Sequence, residues 1–210
     1  TPLVDANSKV TGQAWYGDDI RLQNEIIGRI LRSPHHYAKV ISVDTSKAEA
    51  LPGVLAVSTG VDAPQKFGVL PVTKDEHAMA VEKVRHVGDL VACVAAIDEA
   101  TAREAVSLID VEYEVLDAIH DPRKGLQDVD EPIHWRGPYH IGSTNVQKRV
   151  FQEFGDRSKL GESSASHRGK WKFMGVNHGF TEPHAVVAHW DPNGRLQLYT
   201  PQQVPHYAHR

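Results

Sequence analysis

LVACVAAIDEATAREAVSLIDVEYEV, residues 90–115, is the stretch in which the fold of this chain can be read. Its opening, Leu90 to Ile97, is apolar without alternation, the pattern of a central strand buried on both faces. After Asp98 the period turns helical: Ala102, Ala105, Val106 and Ile109 recur at i, i+3, i+4 and i+7. The Asp98 carboxylate is placed to accept from the first free N–H groups of that helix. From Ile109 the period becomes two. Ile109, Val111, Tyr113 and Val115 alternate with Asp110, Glu112 and Glu114, which predicts a strand with one wet face. Strand, helix and strand in close succession predict a small α+β domain. Its richness in Ala and Val predicts tight packing rather than a ligand cavity. Val91, Val94, Ala102, Val106, Val111 and Tyr113 are the expected core, and Cys93 is expected to be a small core residue as well.

Upstream the same grammar is fainter. EIIGRILRS (25–33) is strand-like, SPHH turns at Pro34, and KVISVD (39–44) alternates as a strand. Thr45 or Ser46 is positioned to cap a short helix, SKAEAL, which Pro52-Gly53 ends before the strand-like VLAVST. A long loop carrying Gly60, Pro64, Gly68 and Pro71 follows. The expected organisation is an irregular lead-in at 1–19 and the α+β domain at 20–117.

Downstream, residues 118–146 hold prolines, glycines and histidines with almost no periodicity. They predict an ordered connector crossing another surface, since Trp135 and Tyr139 are costly to leave in water. Residues 147–210 return to strand-like runs at KWKFMGV, HAVVAHWD and RLQLYT, with Asp191-Pro-Asn-Gly194 as a hairpin turn. These strands have no evident partner layer, so 147–210 read as the antiparallel beginning of a second, incomplete domain.

Composition excludes several classes. Hydrophobic residues make up 40% and charged residues 24%, ordinary for a globular protein. No apolar run reaches the ~18–20 residues that span a bilayer. The opening TPLVDANSK lacks the basic-then-apolar order of a secretory leader, so a cytoplasmic location is expected. The single cysteine excludes an internal disulfide and a cysteine-rich zinc or iron–sulfur site in this chain. A net charge of −4, with no basic stretch interleaved with aromatics, argues against nucleic-acid binding.

The 13 histidines raise the question of a metal site. His184 and His189 are five apart and would face opposite sides of a strand, and His206 and His209 share that problem off a helix. No nucleophile elbow, dinucleotide fingerprint or phosphate loop is present. Local chemistry alone offers no complete active site.

Several separated stretches nevertheless occur together in one order: KVTGQAWYGDDI, GRILRSPHHYAKVISVDTSKAEALPGVLAVSTG, KVRHVGDLVACVAAIDEATAREAVSLIDVEYEVL and VNHGFTEPHAVVAHWDPNGRLQLYTPQQVPH. In them the chain resembles the N-terminal part of the molybdenum-binding large subunit of the xanthine dehydrogenase/aldehyde oxidase family, the molybdenum hydroxylases. FGVLPVTKDEHAMAVEKVRHVGD is most similar to the 4-hydroxybenzoyl-CoA reductase branch. The resemblance implies an α/β hammerhead domain followed by the first strands of a molybdopterin-binding domain. It implies molybdenum held by molybdopterin, with a cytosine dinucleotide form among the options, and [2Fe–2S] and FAD carried by partner subunits or domains. The implied reaction is hydroxylation of an aromatic, heterocyclic or aldehyde substrate, or reductive dehydroxylation in the hydroxybenzoyl-CoA branch.

The family's glycine-rich cofactor loop and catalytic glutamate lie beyond the matched stretches, so no catalytic residue is expected here, and a fragment or a split subunit is implied. Gln203 matches the glutamine whose amide donates to the apical ligand of molybdenum, with Gln202 as its neighbour and control. Glu182 of FTEPHAV matches an acidic-Pro motif on a strand near the substrate funnel. Two other readings stay open: a non-catalytic assembly or ligand-binding domain, and a histidine-based metal-binding β protein.

Overall fold

The computed structural model describes residues 3–68, 74–134, 137–162 and 164–208. Trp135, His209 and part of the FGVLPVT stretch lie outside the described residues. Two compact units divide the chain: one comprises 1–23, whose first element is helix α1 (Ala6–Val10), together with 153–210; the other is 24–152.

In the unit 24–152 two three-stranded antiparallel sheets share the work. Strands β1 (Ile27–Arg32), β2 (Ala38–Asp44) and β3 (Val54–Thr59) come first, with helix α2 (Ser46–Glu49) between the last two. Three two-residue strands follow: β4 (Lys66–Phe67), β5 (Glu76–His77) and β6 (Lys83–Val84). Then come β7 (Leu90–Ala96), helix α3 (Glu99–Leu108) and β8 (Asp110–Val115). One sheet runs β1-β7-β3 and the other β6-β2-β8, while β4 and β5 pair by themselves. The strand–helix–strand unit expected at 90–115 is present, but its two strands belong to different sheets. The same holds for β2 and β3 across α2. Each helix carries the chain from one sheet to the other.

The physical centre is β7. Ala92, Val94 and Ala96 on one face pack with Ala48 of α2 and with Ala102 and Ala105 of α3. Small residues on both sides let helix and sheet approach closely. Opposite β1 the register slips: Leu31 pairs with Ala92 but Arg32 with Leu90, so Val91 is an extra residue. Val91 is thereby buried next to Ala92 and joins a second cluster with Ala38 and Val84 of the other sheet. The face of β7 away from the helices is covered less fully. Cys93 is therefore half-buried rather than a core residue, and partial burial pushes its thiol pKa up.

The caps follow the sequence closely at α3 and less so at α2. Asp98 Oδ1 accepts from the Thr101 N–H at 2.8 Å. At α2 the side chain that serves the backbone is Asp44, which accepts from the Ser46 N–H at 3.0 Å, while the Thr45 hydroxyl donates to Glu49. Gly53, at φ +95°, turns the chain after α2.

Residues 118–146 hold one short 3₁₀ turn, Lys124–Leu126, and no strand among the described residues. They run over the β2 and β6 region: the Tyr37 hydroxyl donates to the Pro132 carbonyl at 2.9 Å, and Arg85 Nε to that of Ile133 at 2.8 Å. Tyr139 is not sheltered as expected. It is 52% exposed, with the Lys148 ammonium 4.9 Å from its ring centroid.

In the unit 1–23 with 153–210, strands β9 (Val187–Trp190) and β10 (Leu196–Tyr199) form a hairpin. Its turn differs from a two-residue Asn-Gly turn, since only Gly194 takes a positive φ, +78°. The Asp191 carboxylate accepts from the N–H groups of both Asn193 and Arg195, closing a three-residue loop. Helix α4 (Pro205–Ala208) follows. KWKFMGV is open chain rather than a strand, with Trp171 72% and Phe173 89% exposed. A run with strand propensity needs a neighbouring strand to pair with, and none of the described residues supplies one.

Candidate functional site

The two candidate stretches of the smaller unit, FTEPHA and TPQQ, meet at a glycine of the lead-in. Tyr16 and Asp19 close a 3₁₀ turn over Gly17–Asp19, with the Tyr16 N–H donating to Asp19 Oδ2 at 3.0 Å. Gly17, at its start, is buried and donates its N–H to Glu182 Oε1 at 3.2 Å. A Cβ on Gly17 would stand 3.4 Å from Pro201 Cδ and 3.6 Å from Ala185 Cβ. These are ordinary van der Waals separations, so the three segments meet at this point without depending on the missing side chain.

Glu182 lies half-buried on a bend, not on a strand as expected, and its observed role is to accept from the first N–H of that turn. Gln202 and Gln203 are both exposed, between Pro201 and the Pro205 that opens α4. They differ in what they do. Gln202 turns back on its own chain, its Oε1 accepting from the Val204 N–H at 3.4 Å. The Gln203 amide makes no hydrogen bond to any described residue, which leaves an uncharged NH₂ donor available between two prolines that fix φ. No hydrogen bond joins Gln203 to Glu182 among the described residues; Glu182 and Pro201 both approach Gly17.

His178 and His184 share a neighbour rather than a metal site. His178 stacks on Phe180 at 5.1 Å with rings 6° apart, and His184 tilts against the same ring at 6.4 Å. His189 sits on β9 opposite Gln197. Among the described residues no group of three or more His, Cys, Asp or Glu side chains could hold a metal ion. Gly17 is the residue that the sequence reading passed over. Its one signal is an Asp two positions on, able to reach back and close the turn.

Residues 11–117 match the family model described as aldehyde oxidase and xanthine dehydrogenase, a/b hammerhead domain. The chain belongs to this family. Within it, the nicotinate dehydrogenase large molybdopterin subunit of Eubacterium barkeri is 31% identical over 214 residues, covering 97% of this chain and 47% of the relative. The xanthine dehydrogenase molybdenum-binding subunit of Escherichia coli O157:H7 is 29% identical over 222 residues, covering 99% and 28%. Among solved structures, a Cu,Mo-CO dehydrogenase matches with TM-score 0.79 at 29% identity, over 99% of this chain and 28% of that one. The aldehyde oxidoreductase of Desulfovibrio gigas matches with TM-score 0.75 at 26% identity, over 95% and 23%. The chain therefore spans between 23% and 47% of the length of these family members. Among the described residues no helix is long and apolar enough to cross a membrane.

Proposed function

We propose that the chain is the N-terminal portion, or a split subunit, of a molybdopterin-dependent oxidoreductase acting on an aromatic, heterocyclic or aldehyde substrate. The observation that carries this reading is the reach of the likeness. It continues past the hammerhead domain through the exposed hairpin, over 99% of the chain, in a molybdenum enzyme of known structure. The proposed partition is a lead-in at 1–19, the hammerhead domain at 20–117, a connector at 118–146 and the start of the molybdopterin-binding domain at 147–210. Partner chains or domains carry the rest of that domain, the [2Fe–2S] clusters and FAD, in the cytoplasm.

The residues present fit one part of the cofactor's surroundings. When bound, the molybdenum group of this family would supply transfer of oxygen from water to an electron-poor carbon. Gln203 would contribute its unengaged amide as a neutral donor toward that group, and the cytosine dinucleotide form of the pterin belongs to the proposal. An amide donates without adding charge, while Pro201 and Pro205 limit how far the segment can move. Glu182 would help shape the substrate funnel through the segment it ties to Gly17.

The test compares Gln203→Ala, Gln202→Ala and Glu182→Gln in the assembled enzyme, with molybdenum content measured beside rate. Losing a partner of a metal group typically costs about 10–100-fold in affinity or activity. That loss is expected for Gln203→Ala and not for Gln202→Ala, and Glu182→Gln is expected to shift substrate KM or kcat with molybdenum retained. Sensitivity at Gln202 alone, or at none of the three, overturns the assignment.

A further inference from the structure

The connector is fastened to the sheets over one short stretch, Glu131 to His134. Glu131 pairs with Lys83 Nζ at 2.5 Å. The Pro132 carbonyl accepts from the Tyr37 hydroxyl at 2.9 Å and from Lys83 Nζ at 3.2 Å. The Ile133 carbonyl accepts from Arg85 Nε at 2.8 Å. His134 Nδ1 lies 3.1 Å from Asp75 Oδ1, and since a carboxylate only accepts, the imidazole is the donor. On the sheet side every anchor is therefore a side chain, from Tyr37, Asp75, Lys83 or Arg85. Among the described residues no backbone–backbone hydrogen bond ties 118–147 to a strand.

Beyond that latch the segment is bonded to itself. The Val129 N–H donates to the Ser143 carbonyl at 2.8 Å and the Ile133 N–H to Asn145 Oδ1 at 3.0 Å. The Ile141 N–H donates to the Val146 carbonyl at 3.1 Å, and the Asn145 N–H to that of Gly125 at 3.0 Å. Two limbs tied to each other in this way lift together. A cost in the second limb opposes the latch. Both ring nitrogens of His140, Asn145 Nδ2 and Gln147 Oε1 are buried with no hydrogen-bond partner among the described residues. The hydration these four atoms lose on burial is returned only when the segment lifts.

We propose that residues 125–147 are a strap that opens as one unit while both sheets stay closed. Tyr37, Asp75, Lys83 and Arg85 hold it shut, and the orphaned groups of His140, Asn145 and Gln147 bias it towards opening. Opening breaks no covalent bond and uncovers Tyr37, which is 5% exposed when the strap is shut. The strap lies wholly within the unit 24–152 and does not rest on the molybdenum reading.

Native-state hydrogen exchange of the full chain tests it, with the amides of Val129, Ile133, Ile141 and Asn145 compared with those of Ala92 and Val94 in β7. The four strap amides are expected to share one protection factor, at least about tenfold below that of β7. Lys83→Met keeps the aliphatic stem and Tyr37→Phe keeps the ring, so each loosens the latch without emptying the core. Lys83→Met should speed strap exchange by about tenfold, and Tyr37→Phe by less, with β7 unchanged. His140→Phe and Gln147→Met replace orphaned polar groups by apolar ones of similar shape and should slow it. These opposite signs separate a latched strap from general destabilisation. Strap amides as protected as β7, or latch variants that leave the strap unchanged or speed β7 equally, overturn the proposal. So does a failure of both His140→Phe and Gln147→Met to slow exchange.

Discussion

Strands β7 and β10 are both apolar in sequence and both paired antiparallel, yet they live in different physical worlds. β7 has a hydrogen-bonded neighbour on each side and two helices over one face, and four of its seven residues are buried. β10 has one neighbour, and all four of its residues are exposed, Leu198 at 45%. All the fully buried apolar side chains of the described residues belong to the unit 24–152. The difference teaches that a hydrogen-bond ladder defines a strand but only a second layer makes a core. Apolar area left in water contributes nothing to stability.

The same chemical change placed in the two strands probes this contrast most strongly. Val94→Asp buries an unpaired charge between β7 and the helices and should cost about 4 kcal/mol or more, read by chemical denaturation of the unit. A loss under about 1 kcal/mol would remove β7 from the centre of the fold. Next in size is Gly60→Ala, just past β3. A Cβ there would lie 2.4 Å from the Ala80 carbonyl oxygen, a backbone atom that cannot swing aside. Overpacking of this kind costs about 1–3 kcal/mol, and a melt indistinguishable from the parent would show that the 60–80 contact is loose.

A smaller effect is expected from acid. The Thr101 N–H holds the Asp98 carboxyl below the usual carboxylate range. A depressed folded pKa stabilises the fold at pH above the unfolded value of about 3.9, and that contribution disappears as pH falls through the folded value. Asp98→Asn should therefore flatten part of the acid slope of the melting temperature and leave the neutral value almost unchanged. An undiminished slope would assign the acid sensitivity elsewhere, with Glu99, paired to Arg29 and Arg103, the next carboxylate to vary. Smallest of all is Leu198→Asp in β10, expected within about 0.5 kcal/mol of the parent in the chain by itself. A cost near that of Val94→Asp would erase the comparison, because β10 would then be covered.

What was legible in the sequence was what depends on near neighbours. The apolar run 90–97, the Asp98 cap, the alternation of 109–115 and the Asp191 turn are set by residues within a few positions of one another. Sheet membership is not local: nothing in the periodicity of 90–115 tells that α3 changes sheets. Two-residue strands such as β5 and β6 carry no period at all. KWKFMGV misled because propensity was present and a pairing strand was not. At the candidate site the choice of Gln203 over Gln202 came from the family resemblance, not from any local pattern. Gly17 was not legible, since a close approach of distant backbone leaves no local pattern.

The exchange of sheets at each helix has a consequence for assembly of the unit. Divide it in the loop after β3. The first half then holds the outer strands of one sheet, β1 and β3, and the middle strand of the other, β2; the second half holds β7, the missing middle, and β6 and β8, the missing edges. Neither half contains two adjacent strands of either three-stranded sheet, so neither can begin those ladders alone, whereas together they interlock like two combs. Contacts this distant in sequence slow folding and make it all-or-none. During synthesis the first sixty residues have to wait for the strand that ends at Val115, and two separately made halves have every reason to find each other.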